Sequence, residues 1–198
     1  MAFNLFLKPF KPSHLQIIET HIPEVKIVQP SIFKDQRGYF MESFRASAFE
    51  ALGIPTTFVQ DNQSLSGKGI LRGLHFQKPP FAQAKLVRVV QGAVLDVAVD
   101  IRKGSPYYGK HVAQRLDTEN MYQLYVPEGF AHGFVTLEDQ TIFQYKCSAY
   151  YNKDSEDSIL WNDPELEIDW GIDDPTLSEK DKVSGLLSDF DSPFEYKG

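Results

Sequence analysis

From Val25 onward the chain alternates short apolar runs with polar breaks, and hardly any run is long enough for a helix. VKIVQPSIF (25–33), GYFMESF (38–44), TFVQDNQS (57–64) and GILRGLHFQ (69–77) come first. KLVRVVQGAVLDVAVDI (85–101), GKHVAQRL (109–116), YQLYVPEGFAHGFVTL (122–137) and TIFQYKCSAYY (141–151) follow. These runs are rich in β-branched and aromatic residues, which pack well on a pleated surface. Turn signals at Gly53, Gly67, Gly92, 104–106 and 127–129 separate them. In AVLDVAVDI, Asp96 and Asp100 fall out of phase with Leu95, Val97 and Val99. A period of two therefore predicts one core face and one wetter face that carries both acids. A single helix is predicted, Ser43 to Leu52, with Phe44, Ala48 and Leu52 on one face and Gly53 placed as its C-terminal cap. Many short strands with almost no helix predict an all-β jelly roll or a close relative, with room for a small ligand between its sheets.

The ends follow a different pattern. Residues 1–24, with prolines at 9, 12 and 23, are expected to form an extended arm, residues 25–183 the β domain and residues 184–198 a tail. After Asn162 the chain turns polar and acidic, and a short helix is expected from Leu177 to Lys182. With 198 residues, of which 42% are hydrophobic and 24% charged, one globular domain with a sizeable core is expected. No run approaches the ~20 apolar residues of a membrane span, and no signal-peptide pattern opens the chain. Cys147 is the only cysteine, so no internal disulfide can form, and a reducing, cytoplasmic setting is expected.

A net charge of −7 argues against general nucleic-acid binding. The charge is unevenly spread: residues 68–110 carry eight Lys/Arg against two acids, and residues 152–198 carry fourteen acids against four lysines. This fits a basic sheet capped by an acidic tail, or a cationic pocket for a small anionic ligand.

Five histidines are available. His14 and His21 lie in the arm and His111 opens a surface strand, whereas His75 and His132 sit in apolar strands beside Gly73 and Gly133. Taken alone, a strand histidine is more often a hydrogen-bonded core residue than a catalyst. Arg72, Lys85, Arg88, Tyr145 and Lys146 share the same run of strands, however, and such a set can hold an anion and move protons. Arg72 and His75 are three positions apart, so a regular strand would point them to opposite faces. Both serve one cavity only if a bulge intervenes, and Gly73 is the place for it. No second histidine or acid accompanies either His75 or His132 at metal-ligand spacing, so no metal site is expected.

FKDQRGYFMESF, FVQDNQS, GILRGLHFQ, AKLVRVVQGAVLDVAVDIRKGSP, PEGFAHGFVTL, YYNKDSEDSILWND and LSEKD stand in order between about Ile22 and Lys182. Together they resemble the dTDP-4-dehydrorhamnose 3,5-epimerases, cupin-like enzymes of dTDP-L-rhamnose synthesis. The resemblance implies an enzyme without metal or cofactor that acts on a dTDP-linked 4-keto-6-deoxy sugar, inverting C3 and C5. It implies His75 as the base, Asp181 as the carboxylate that orients it, Lys85 as the cation beside the ketone oxygen and Tyr145 as the acid at C5. Arg72, His132, Glu156 and Lys180 correspond to ligand contacts, with Arg72 suited to a pyrophosphate. Arg37, Glu42, Gln60, Asp61 and Asn62 correspond to nucleotide and substrate contacts, and Phe33 to a stacking partner for thymine. Asp61 and Glu42 read equally well as surface acids. The resemblance further implies a homodimer with exchanged N-terminal strands. Inversion of one centre only, a non-catalytic sugar-nucleotide-binding jelly roll and a metal-dependent cupin oxygenase are the alternatives.

Overall fold

The structure, a computed structural model, describes residues 15–198. The first part of the expected arm, His14 included, lies outside the described residues. The chain runs through β1 (Gln16–Glu19), β2 (Lys26–Gln29), β3 (Ile32–Asp35), β4 (Gly38–Met41), α1 (Ala46–Glu50), β5 (Gln60–Ser66) and β6 (Leu71–Gln77). It continues through β7 (Lys85–Gln91), β8 (Ala93–Asp100), β9 (His111–Asp117), β10 (Gln123–Val126), β11 (Phe130–Thr136), β12 (Thr141–Cys147) and β13 (Glu156–Ser158). Two sheets, ordered β1-β2-β10-β7-β12-β5 and β13-β6-β11-β8-β9, form a cupin-like jelly roll in which all strand pairs are antiparallel. Among the described residues, the hairpin β3-β4 stands apart, paired only with itself.

One core lies between the sheets. Val87, Val89, Leu124 and Phe143 from the first sheet meet Val94, Ala98, Phe130 and Phe134 from the second. Each fully buried side chain of this size contributes about 1.5–3 kcal/mol. A second core forms on the opposite face of β6, β8 and β11. There Leu74, Val97, Val99 and Val135 are covered by Leu166, Trp170, Leu187 and Phe194 from the C-terminal segment.

That second core corrects the reading of β8. Leu95, Val97 and Val99 do point to a core, but to the one beneath the C-terminal segment, while Asp96 and Asp100 point between the sheets and are fully buried. No face of this strand is wet, because both sides are covered. The C-terminal segment itself is irregular. In place of the expected helix over Leu177–Lys182 there is one 3-10 turn, Asp181–Val183. The predicted helix near residue 46 is also shorter than expected, and its anchor is the fully buried Phe49, with the partly buried Phe44 ring packed 5.0 Å away. Its cap is as expected: Gly53 takes φ +70° and its N–H donates to the Glu50 carbonyl at 2.9 Å.

The described part of the arm adds β1 to the edge of the first sheet and buries Ile22 in the inter-sheet core, whereas His21 is exposed. Among the described residues, no helix is long and apolar enough to cross a membrane.

Candidate active site

The site begins with an irregularity in β6. His75 is in register with His132 of β11, and Arg72 with Phe134, so three steps along β6 oppose two along β11. The extra residue is the bulge that the Arg72–His75 spacing demands. Gly73 adopts φ +144°, and a Cβ there would sit 2.5 Å from the Gly133 Cα, so the close crossing of β6 and β11 requires glycine. With the bulge in place, Arg72 and His75 both turn into a cavity of about 410 Å³ between the sheets.

His75 and His132 enter this cavity from the second sheet, Lys85 and Tyr145 from the first, and Asp181 from the C-terminal segment. A smaller lobe of about 120 Å³ adjoins it, sharing His75, Lys85 and Tyr145 and bordered by Gln60, Asn62, Tyr151 and Glu156.

Among the described residues, the charged groups are held in ion pairs, except Arg72 and Lys85. His75 Nε2 lies 2.5 Å from Asp181 Oδ1, and the Asp181 side chain is only 3% exposed. Burial pushes this carboxyl up, but the hydrogen bond and charge of His75 outweigh it, and the group is held below the usual carboxylate range. His132 Nε2 is 3.0 Å from both oxygens of Asp96. At the mouth, Lys180 Nζ is 2.7 Å from Glu156 Oε1, and the Tyr151 hydroxyl donates to Oε2 at 3.1 Å. Arg72 donates from Nη2 to the Ser66 hydroxyl at 3.3 Å, and its guanidinium is exposed.

Lys85 is the buried one of the two. It is 9% exposed and, among the described residues, forms no ion pair. Burial holds its ammonium below the ordinary lysine range. Its Nζ lies 6.0 Å from the centre of the Tyr145 ring. Burial pushes the Tyr145 phenol up, so it stays protonated at neutral pH and can donate. The cavity thus offers an oriented imidazole on one wall, a protonated phenol on the other and a desolvated cation beside them. Those groups suit proton abstraction next to a carbonyl, with charge developing on the oxygen.

The residues expected at the site divide in two. His75, Lys85, Asp181, Tyr145, Arg72 and His132 line the main cavity, Gln60, Asn62 and Glu156 line the smaller lobe, and Lys180 is tied to Glu156 at its edge. Phe33, Arg37, Glu42 and Asp61 do not reach either space within one chain. Phe33 and Arg37 sit on the β3-β4 hairpin, Phe33 at 59% exposure and Arg37 paired to Asp35. Glu42 pairs with Arg45, and Asp61 points off the outer face of β5 to pair with Lys146 at 3.0 Å. Sequence reasoning missed Gln63, Ser64, Thr176 and Ser178 in the lining, and Asp96 behind it. Only Asp96 had left a signal, as an acid inside an aliphatic strand. Among the described residues, no group of three or more His, Cys, Asp or Glu side chains is placed to hold a metal ion.

The sequence profile of the dTDP-4-dehydrorhamnose 3,5-epimerases matches residues 19–189. The dTDP-4-dehydrorhamnose 3,5-epimerase of Shigella flexneri is 54% identical over 168 residues, 84% of this chain and 93% of that one. Among solved structures, the dTDP-6-deoxy-D-glucose-3,5-epimerase of Legionella pneumophila, in complex with dTDP-4-keto-L-rhamnose, superposes with a TM-score of 0.90 at 49% identity, covering 93% of this chain and all of the other. A 3'-monoepimerase from Streptomyces bikiniensis, in complex with dTDP-quinovose, superposes at 0.81 with 35% identity, covering 86% and 87% of the two chains.

Proposed function

Since the chain belongs to the dTDP-4-dehydrorhamnose 3,5-epimerase family, we propose that it inverts both C3 and C5 of dTDP-4-dehydro-6-deoxy-D-glucose through the residues that meet in this cavity. The observation that carries the proposal is the placement of His75 and Tyr145 on opposing sheets of one cavity with Lys85 between the same walls. A C4 ketone acidifies the hydrogens on C3 and C5. His75 takes the proton as the C–H pair moves into the ring and onto the ketone oxygen, and Asp181 keeps the imidazole oriented. Lys85 stabilises the enolate oxygen, and its desolvation makes that charge count for more. Tyr145 then gives its proton to C5 from the opposite face and recovers it from solvent, which completes the inversion there. At C3 solvent supplies the new proton on the opposite face, and after each step His75 releases the abstracted proton to solvent. Arg72 holds the pyrophosphate.

The acting unit is a homodimer in the cytoplasm, in which the β3-β4 hairpin of one copy completes the site of the other. This is supported by Phe33, Tyr39 and Phe40, each more than half exposed on a hairpin that pairs with no other strand among the described residues. Incubation with the 4-keto sugar nucleotide in heavy water tests the reaction, with deuterium read at C3 and C5 by NMR. Deuterium at both carbons of an inverted product is expected; inversion at C3 alone would favour a mono-epimerase, as in the Streptomyces relative.

A further inference from the structure

Strand β8 carries two fully buried carboxylates, and their surroundings differ in kind. Asp100 accepts from Arg102 Nε and Nη2 and from the Ser105 hydroxyl, and so fastens the turn that follows the strand. Asp96 fastens no turn. Its partner is His132, one of the residues that line the cavity. Enclosing a carboxylate costs several kcal/mol unless its partners offset it, and an aliphatic side chain would suit β8 better for packing alone.

Two groups on the cavity wall make use of that charge. Burial favours the neutral imidazole of His132, so its Nε2–H donates to Asp96 and its other ring nitrogen keeps a lone pair. Burial pushes the Asp96 carboxyl up, against the hydrogen bond from His132 and the charge of Lys85, which favour the carboxylate; with His132 neutral, the Lys85 ammonium is left to offset that charge. Lys85 lacks an ion pair, and the groups around it come from several elements: Cys147 and Tyr145 on β12, Asp96 on β8, Glu156 on β13, the two cavity histidines, and Lys180. Burial pushes the Cys147 thiol up and keeps it uncharged, Glu156 is already committed to Lys180, and Lys180 repels the ammonium.

We propose that Asp96 is a positioning residue of this site: it fixes His132 as the Nε2–H tautomer, with Nδ1 as acceptor for a sugar hydroxyl, and supplies the interior negative charge that keeps Lys85 an ammonium. The proposal rests on the epimerase reading for its consequence, though not for the tautomer.

Asp96→Asn keeps the shape and an acceptor for Nε2–H but removes the charge. The expected result is a folded protein whose kcat falls about 10–100-fold, the usual cost of losing a partner behind a working group, with KM little changed. Its alkaline limb should move to lower pH, because an ammonium without its counter-charge loses its proton sooner. Binding of dTDP, read by calorimetry, should stay as in the wild type. Wild-type kcat and an unmoved alkaline limb in folded Asp96→Asn would overturn the proposal. Long-range ¹H–¹⁵N NMR of the His132 ring in the wild-type protein reads the tautomer directly, without any variant or substrate. A neutral Nε2–H form near pH 7 is expected, and an Nδ1–H form or an imidazolium refutes the proposal even should Asp96→Asn fail to fold. A wild-type protein that binds dTDP but does not epimerise would sink the function reading instead, and the spectrum would still test the role of Asp96.

Discussion

The inter-sheet cavity and the β3-β4 hairpin both carry residues expected to touch the ligand, yet they are built on opposite terms. In the cavity most charged groups are held by another group of the same chain, His75 by Asp181, His132 by Asp96 and Glu156 by Lys180, while Lys85 is held by burial among them. On the hairpin, Phe33, Tyr39 and Phe40 lie open, and Arg37 pairs, among the described residues, with Asp35, two residues away at the surface. An exposed pair of this kind is screened by solvent and leaves a guanidinium free to change partners. The difference teaches that the groups suited to proton transfer are preassembled within one chain, whereas those of the hairpin are not, and the proposed dimer assigns them to a second copy.

The largest effect should come from the cavity. His75→Ala is expected to stop solvent deuterium from entering C3 and C5 alike, lowering turnover by about 10⁴-fold, the upper end for a positioned base. Appreciable exchange at either carbon would mean that a second base works there. Tyr145→Phe should fall less far. Enolate formation and exchange continue because His75, Asp181 and Lys85 remain, while doubly inverted product drops by about 10²–10³-fold and a C3 epimer accumulates. Near-normal yield of the doubly inverted sugar would hand the acid's role to another group.

Arg37→Ala probes the other region. Losing one charged contact to the nucleotide should raise KM about 10-fold and leave kcat nearly intact. Mixing it with His75→Ala subunits sharpens the comparison. If the hairpin acts across the dimer, mixed dimers contain one site with an intact His75 and the partner's intact arginine, and a wild-type KM reappears. Recovery failing in proven mixed dimers, or a fully active monomer by light scattering, would place the hairpin's contribution within its own chain.

The smallest effect is on stability. Burial depresses the proton affinity of Lys85, so the unfolded chain binds that proton more tightly. Stability should therefore rise with pH from the folded-state value up to the ordinary lysine value near 10.4. Lys85→Met should abolish that rise and, near neutral pH, melt about 2–4 °C higher, equivalent to about 1 kcal/mol, even as activity is lost. A lower melting temperature would show that the ammonium is better supported than its surroundings suggest.

Much of this protein was legible along the chain. Alternation placed most of the strands, Gly53 marked the end of the helix, and the three-residue spacing of Arg72 and His75 required a bulge that Gly73 alone could make. These features depend on backbone sterics and on the two-residue period, which neighbouring residues determine among themselves. The seven motifs likewise pointed to the family and to His75, Lys85, Tyr145 and Asp181 before any geometry was known. Tertiary structure decided the rest. The acids of β8 were expected to be wet, but Leu166, Trp170 and Phe194 cover the strand's other face, so Asp96 and Asp100 turn inward. The segment carrying Asp181 reads as polar and acidic with one short helix, yet it closes the cavity and brings that carboxylate to a histidine 106 positions away. Which face is buried, and by what, depends on chain that arrives from far off in sequence, and a local pattern contains no information about its arrival.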